Sequence, residues 1–331
     1  MIRLYRHDNM QVLRMLSDKS VDAIVTDPPY GFRFMGKRWD YDVPSVELWA
    51  ECLRVLKPGG YLLSFAGTRT QHRMCVRIED AGFEIRDMLA WVYGSGFPKS
   101  HNLEGEWEGW GTALKPAFEP ITMARKPFDS TIAINVNEFQ TGAININACR
   151  TDEGRWPANL IHDGSDEVLE IFPITKSGKP SGIKAGFNNN VFGQYSGGIP
   201  VTGFGDSGSA ARFFYCAKAT KKDRDEGLEL LALKEAGIKN GSGRGFSESN
   251  PYAKILRRNT HPTVKPTELM RYLCRLVTPM GGGHTRSLHG KRKHRQSGSN
   301  RRIQFHWNRE RSRVFTNCAS SDRVCEFAGC G

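Results

Sequence analysis

Short apolar runs alternate with amphipathic stretches through the first 130 residues, and the alternation predicts strands and helices in turn. Leu4-Tyr5 opens a strand, and Met10 to Leu16 carries the spacing of a short helix. Val21-Asp22-Ala23-Ile24-Val25-Thr26 is a short apolar run of the length of a buried strand. Ser45 to Leu56 fits an amphipathic helix stopped by Pro58-Gly59-Gly60, after which Tyr61-Leu62-Leu63-Ser64-Phe65 reads as the next buried strand. Thr68 to Ala81 predicts a helix ended by Gly82, Phe83 to Tyr93 a strand, and Glu119 to Ala124 another. Strands separated by helices imply βαβ units and a largely parallel sheet, an α/β fold. From about Asp129 the chain turns polar and loop-like. Residues 177–209 are rich in Gly, Asn and Ser, with Gly182, Gly186, Gly193, Gly197 and Gly198 breaking any period, as in an insertion or a mobile recognition region. Regular helix returns at Thr267 to Leu276.

In sheets of this kind ligands bind outside the carboxyl ends of the strands. The strand ending at Thr26 is followed directly by Asp27-Pro28-Pro29-Tyr30. The tetrapeptide holds an acceptor side chain, a stiff turn and an aromatic face, which together suit a flat base bearing an amino group. The Asp27 carboxylate can accept one hydrogen of an exocyclic NH2, and the Pro28 carbonyl the other. Pro28 and Pro29 lack N–H donors and fix φ, and the Tyr30 ring can stack on a base. Asp and Pro also favour ordinary turns, so the tetrapeptide gains its weight from the rest of the chain.

At 331 residues there is room for one large or two modest domains with a real core. No apolar run is long enough to span a bilayer, and the first residues lack the apolar core of a signal peptide. A cytoplasmic protein is expected. The eight cysteines include no C-x-x-C pair, so neither a disulfide framework nor a zinc site is predicted. Cys216, after Phe213-Phe214-Tyr215, reads as core, and Gly203 to Gly208 only superficially resembles a cofactor loop. The net charge of +12 invites a nucleic-acid partner, but it is uneven: residues 284–331 carry +8 and residues 1–283 only +4. Lys218 and Lys221 to Glu226 read as a solvated face.

The chain resembles the β-class amino-methyltransferases of DNA, which methylate N6 of adenine or N4 of cytosine with S-adenosylmethionine (SAM). Asp27 to Tyr30 match the catalytic motif, and Arg54-Val55-Leu56-Lys57-Pro58-Gly59-Gly60 matches the helix–turn–strand segment after it. Phe97-Pro98-Lys99-Ser100 and Lys126-Pro127 look like loop elements of the family. His261-Pro262-Thr263-Val264-Lys265-Pro266 looks like the segment before the SAM motif. The resemblance implies a Rossmann-like sheet in permuted motif order, catalytic half first and SAM half last. It implies a catalytic half at residues 1–128, a target-recognition insertion at 129–250 and the start of the SAM-binding half at 251–283. It further implies Asp27, Pro28, Pro29 and Tyr30 as catalytic residues and Asp8, His261, Thr263 and Lys265 at the cofactor, with no metal. Double-stranded DNA is the implied partner and adenine the favoured base, flipped out of the duplex. A homodimer and a restriction nuclease partner stay open.

The family pattern should continue after Pro279 to Gly283 with a strand and a D-P-F-x-G-S-G loop, whose glycines let backbone approach the SAM amino acid. The chain instead reads His284-Thr285-Arg286-Ser287-Leu288-His289-Gly290-Lys291. Given the permitted codons CGA TCC CTT CAT GGG AAG CGG AAG for Arg286 to Lys293, a start one base later reads D-P-F-M-G-S-G. Continued through the tail, permitted codons give a strand ending in an acidic residue and then an amphipathic helix. Residues 284–331 are therefore expected to be translated out of frame, after a one-base insertion in the guanine-rich codons of Gly281 to Gly283. On this reading the tail is a largely disordered segment whose positive charge is an accident of frame. The protein would then bind SAM weakly or not at all, leaving a DNA-binding remnant as the alternative to an enzyme.

Overall fold

The computed structural model describes residues 8–33, 40–96, 100–151, 154–178, 200–217 and 265–279, with short strands at 3–5, 181–183, 187–190, 193–195, 234–235, 256–257 and 314–316. The chain opens with β1 (Arg3–Tyr5) and α1 (Asn9–Met15), then runs through β2 (Val21–Thr26), α2 (Val46–Val55), β3 (Leu56–Phe65), α3 (Gln71–Asp80), β4 (Glu84–Val92) and β5 (Phe118–Arg125). The middle contributes α4 (Ile132–Phe139), β6 (Leu160–His162), α5 (Asp166–Leu169) and the short strands β7 (Ile174–Lys176) to β13 (Tyr215–Cys216). Helix α6 (Thr267–Val277) follows later.

The main sheet has six strands in the order β13-β6-β4-β5-β3-β2. β2 and β3 pair in parallel, as do β4 with β6 and β6 with β13. β5 runs antiparallel to both β3 and β4. The expected parallel sheet is thus interrupted by one reversed strand, because β5 returns from β4 without a crossover helix. β6 and β13 lie in the span 129–250, so the sheet draws two of its strands from the region whose sequence reads as an insertion. Cys216 sits in β13 but is only half-buried, outside the core in which its apolar neighbours place it, because β13 is the edge strand of the sheet.

Both faces of the sheet are covered, which is why β2 and most of β3 are apolar in succession rather than alternating with polar residues. All six residues of β2 are buried. On one face Val21, Ile24 and Leu62 pack with Leu48, Trp49 and Cys52 of α2 and with Met74 and Ile78 of α3. On the other, Ala23, Val25, Leu63 and Met123 pack with Leu269, Tyr272, Leu273 and Leu276 of α6. Ser45 caps α2 by accepting from the Leu48 N–H. The helix ends at Val55, and β3 begins at once. Lys57 to Gly60 bulge out of the β2–β3 ladder between the pairs Val21–Leu56 and Ala23–Tyr61, with Gly59 at φ +77°.

Residues 174–176 and 207–209 form an antiparallel arm, and two further strand pairs lie between them in sequence. β7 (Ile174–Lys176) pairs with β12 (Ser207–Ser209), β8 (Ser181–Ile183) with β11 (Pro200–Thr202), and β9 (Phe187–Asn190) with β10 (Gly193–Tyr195). Beyond these elements, β14 (Lys234–Glu235) pairs with β15 (Leu256–Arg257), and β16 (Val314–Thr316) pairs with β1. The rest of the tail from 284 lies outside the described residues.

Candidate active site

Asp27 to Tyr30 leave the carboxyl end of β2 and are all buried. The turn is held from three sides. Asp40, itself buried, accepts the N–H of Tyr30 and of Gly31 on Oδ1 (2.9 and 3.0 Å) and the N–H of Phe32 on Oδ2 (3.2 Å). The Thr70 hydroxyl donates to the Tyr30 carbonyl at 2.6 Å. Gly31 takes φ +71°, a left-handed conformation that turns the chain back toward Asp40. Gly67 lets the Phe32 ring come close: a Cβ there would meet ring carbons at 2.0 to 2.9 Å. Phe32 in turn lies edge-on to Tyr30, with ring centroids 5.9 Å apart, and under the Arg69 guanidinium at 4.8 Å.

Four side chains converge below this turn. The Tyr30 hydroxyl lies 2.7 Å from Asp27 Oδ1 and 2.7 Å from Glu119 Oε2. The Lys265 ammonium lies 3.1 Å from Asp27 Oδ2, 2.8 Å from Glu119 Oε2 and 3.3 Å from the Tyr30 hydroxyl. It also sits 4.9 Å from the Phe65 ring centroid. The Asp27 and Lys265 side chains are 7% and 5% exposed and that of Glu119 20%, so the cluster is desolvated on the Asp27 side and reaches water on the Glu119 side. β2 supplies Asp27, β5 supplies Glu119, and Lys265 enters from the residue before Pro266, where α6 begins. Burial, and secondarily the Glu119 carboxylate, push the nearby Tyr93 phenol up to about 12.

Of the residues that sequence reading selects, the structure brings together Asp27, Tyr30 and Lys265, with Pro28 and Pro29 buried in the same turn. Lys265 stands between the Asp27 and Glu119 carboxylates. Asp8 is used elsewhere: its exposed carboxylate caps α1 by accepting from Met10 N (3.0 Å) and Gln11 N (3.4 Å). His261 and Thr263 lie outside the described residues, as do Phe97 to Lys99. Two site residues escape the sequence reading, Asp40 and Glu119. A charged side chain at the head of the apolar run Pro120 to Ala124 is the signal that could have drawn attention to Glu119.

The site has a carboxylate with two engaged oxygens at a strand end, behind a stiff proline turn. That is an acceptor arrangement, able to receive N–H hydrogens. Among the described residues, no cluster of His, Cys, Asp or Glu could hold a metal ion, and no helix is long and apolar enough to cross a membrane.

The fold is a Rossmann-like α/β sheet covered on both faces. The profile of the N6/N4 DNA methylases matches residues 21–283, and the chain belongs to that family. It is 29% identical to the type II methyltransferase M.HindIII of Haemophilus influenzae, over 44% of this chain and 65% of that one. It is 31% identical to the type II methyltransferase M.HpaI of Haemophilus parainfluenzae, over 30% of this chain and 34% of that one. The chain thus spans less than two thirds of the length of these relatives. A solved complex of M1.HpyAVI with SAM is 22% identical, with a TM-score of 0.26, over 39% of this chain and 56% of that one.

Proposed function

We propose that this protein is the acceptor half of a DNA amino-methyltransferase, built to receive the exocyclic amino group of a flipped base, adenine N6 in preference to cytosine N4. The observation that carries this is the buried Asp27 carboxylate at the end of β2, fixed by the turn that Asp40 and Thr70 hold. The amino nitrogen of a nucleobase is a poor nucleophile because its lone pair is delocalised into the ring. Acceptors at Asp27 and at the Pro28 carbonyl would draw its two hydrogens out of the ring plane and localise that pair. Positioning and electrostatics then carry the rate, and no covalent intermediate is needed. SAM supplies the methyl group in this reading. Asp27, Pro28, Pro29 and Tyr30 act on the base; His261 and Thr263 would face the cofactor. The partner is double-stranded DNA, in the cytoplasm, within a type II modification setting like that of the relatives' names.

A second reading is favoured by one observation: the sequence after Gly283 holds no glycine loop. On that reading residues 284–331 are out of frame, and the chain as it stands is a DNA-binding remnant. Nucleoside mass spectrometry of DNA from a methylation-deficient host tests both. The frame-restored protein should deposit N6-methyladenine, and Asp27→Ala should lower the yield by roughly 100-fold or more, the size expected for a positioned acceptor. Undiminished methylation by Asp27→Ala would remove Asp27 from the role. Abundant methylation by the chain with its present tail would remove the remnant reading.

A further inference from the structure

We propose that Glu119 is a positioning residue of the acceptor site, the group that takes over Tyr30 and Lys265 when Asp27 turns to a substrate amino group. The inference rests on the acceptor-site reading of Asp27. Both oxygens of that carboxylate are engaged in the structure, Oδ1 with the Tyr30 hydroxyl and Oδ2 with the Lys265 ammonium. Each oxygen can accept a second hydrogen bond, but the two donors already in place compete with an incoming amino group, which gains the full acceptor strength of Asp27 when one of them lets go. In a buried pocket a donor without an acceptor is strongly disfavoured, so a free exchange needs a second acceptor already in place.

Glu119 Oε2 is in that place for both donors. The phenol carries one proton and lies equally near two carboxylate oxygens, 2.7 Å from each. It donates to one at a time, and changing partner needs only rotation about the C–O bond. The ammonium has three donors and is 0.3 Å nearer Glu119 than Asp27. Neither side chain has to move for Asp27 to be released. Glu119 is the more exposed of the two carboxylates. Asp27 is the one of the two carboxylates that belongs to the 27–30 turn.

Two measurements on the full chain decide the matter without requiring methyl transfer. The first is a thermal double-mutant cycle at pH 7 with Asp27→Asn and Glu119→Gln. Each single change should lower Tm by only about 1–3 °C, because the remaining carboxylate keeps Lys265 paired. The double variant should lose about 10 °C, well beyond the sum, because the buried ammonium then loses the carboxylates of both Asp27 and Glu119. Additive losses would show that each carboxylate serves its own partner, and would overturn the exchange. The second is anisotropy binding of single-stranded oligo(dA) against oligo(dT), since thymine lacks an exocyclic amino group. The wild-type chain should prefer oligo(dA), and Glu119→Gln should cut that preference about fivefold, the worth of one well-placed hydrogen bond, with oligo(dT) binding unchanged. Glu119→Asp should restore part of it. A preference that survives Glu119→Gln overturns this inference alone, whereas its absence from the wild type overturns the acceptor-site reading beneath it.

Discussion

Two charge clusters of opposite design stand in this molecule, one in the candidate site and one at the arm of β7 and β12. In the site, two carboxylates share one ammonium and one phenol. At the arm, two guanidiniums share one carboxylate. Arg155 Nη2 reaches both oxygens of Asp206 at 2.6 and 2.7 Å, and Arg212 Nε reaches Oδ2 at 2.8 Å. The remaining Arg212 donors go to Thr175, Ser177, Gly208 and Ser209, while the Arg155 guanidinium lies 4.1 Å from the Phe204 ring centroid. A surplus of acceptors around a compact cation allows partners to change. A surplus of planar, forked donors around one acceptor does not, because each guanidinium is fixed by several bonds at once. The first design suits a pocket that exchanges partners, and the second suits a fixed strand pair.

The comparison breaks most visibly at Lys265. Lys265→Met leaves two carboxylates facing one another in a desolvated pocket, and Tm at pH 7 should fall by about 10 °C, as for other broken buried pairs. One carboxyl should then hold its proton to higher pH than an unfolded carboxyl would. Its stabilising contribution is full below the ordinary carboxylate pKa and is lost as pH rises through the raised value. The variant should therefore recover stability on acidification from pH 7 to pH 5, read by calorimetry. A Tm that stays flat across that range would mean that the carboxylates do not interact.

Swapping the cation types sharpens the contrast. Arg212→Lys replaces a fork by a point charge and should speed protease cleavage within the arm by about tenfold, with the main sheet unaffected. Limited proteolysis followed by mass spectrometry would show whether cleavage stays at the wild-type rate instead. A smaller effect is expected from acid. Desolvation opposes ionisation of Asp206, but hydrogen bonds from Arg212, Ser177 and Arg155 outweigh it and hold the carboxyl well below its usual range. A lowered folded-state pKa gives stability that is complete above the unfolded value, near 4, and that fades as pH falls further toward the folded value. Protection of the arm in hydrogen exchange should thus hold at pH 5 and weaken by pH 3 in the wild type. Asp206→Asn should show less protection at pH 5 and little further change. The smallest effect concerns the turn: Gly67→Ala must push the Phe32 ring aside and should lower Tm by about 3–6 °C.

What the sequence discloses follows the length and continuity of its patterns. β2, α2, α3, β4 and α6 are legible because each has a long apolar run or a clear helical face, and the D-P-P-Y turn is legible because it directly follows such a run. β6 and β13 are not, since two or three residues cannot establish a period, and α4 is hidden because its exposed face carries Ile132 and Ile134. The reversal of β5 is a property of its connection rather than of its residues. Asp27 and Tyr30 can be found locally. Asp40 and Glu119 cannot, because each is defined by a partner distant in the chain: Glu119 meets Lys265 only when α6 packs over β2 and β3. The stacking face assigned to Tyr30 is buried in this structure, with its hydroxyl turned toward the carboxylates.

The central claim is that the acceptor half of the site is built while the donor half, from about Gly283, is out of frame. Isothermal calorimetry of the full chain with SAM tests it most directly, beside the same protein with its frame restored. The account predicts no saturable binding by the chain as it stands and clear binding once the D-P-F-M-G-S-G loop is present. Comparable binding by both would contradict it.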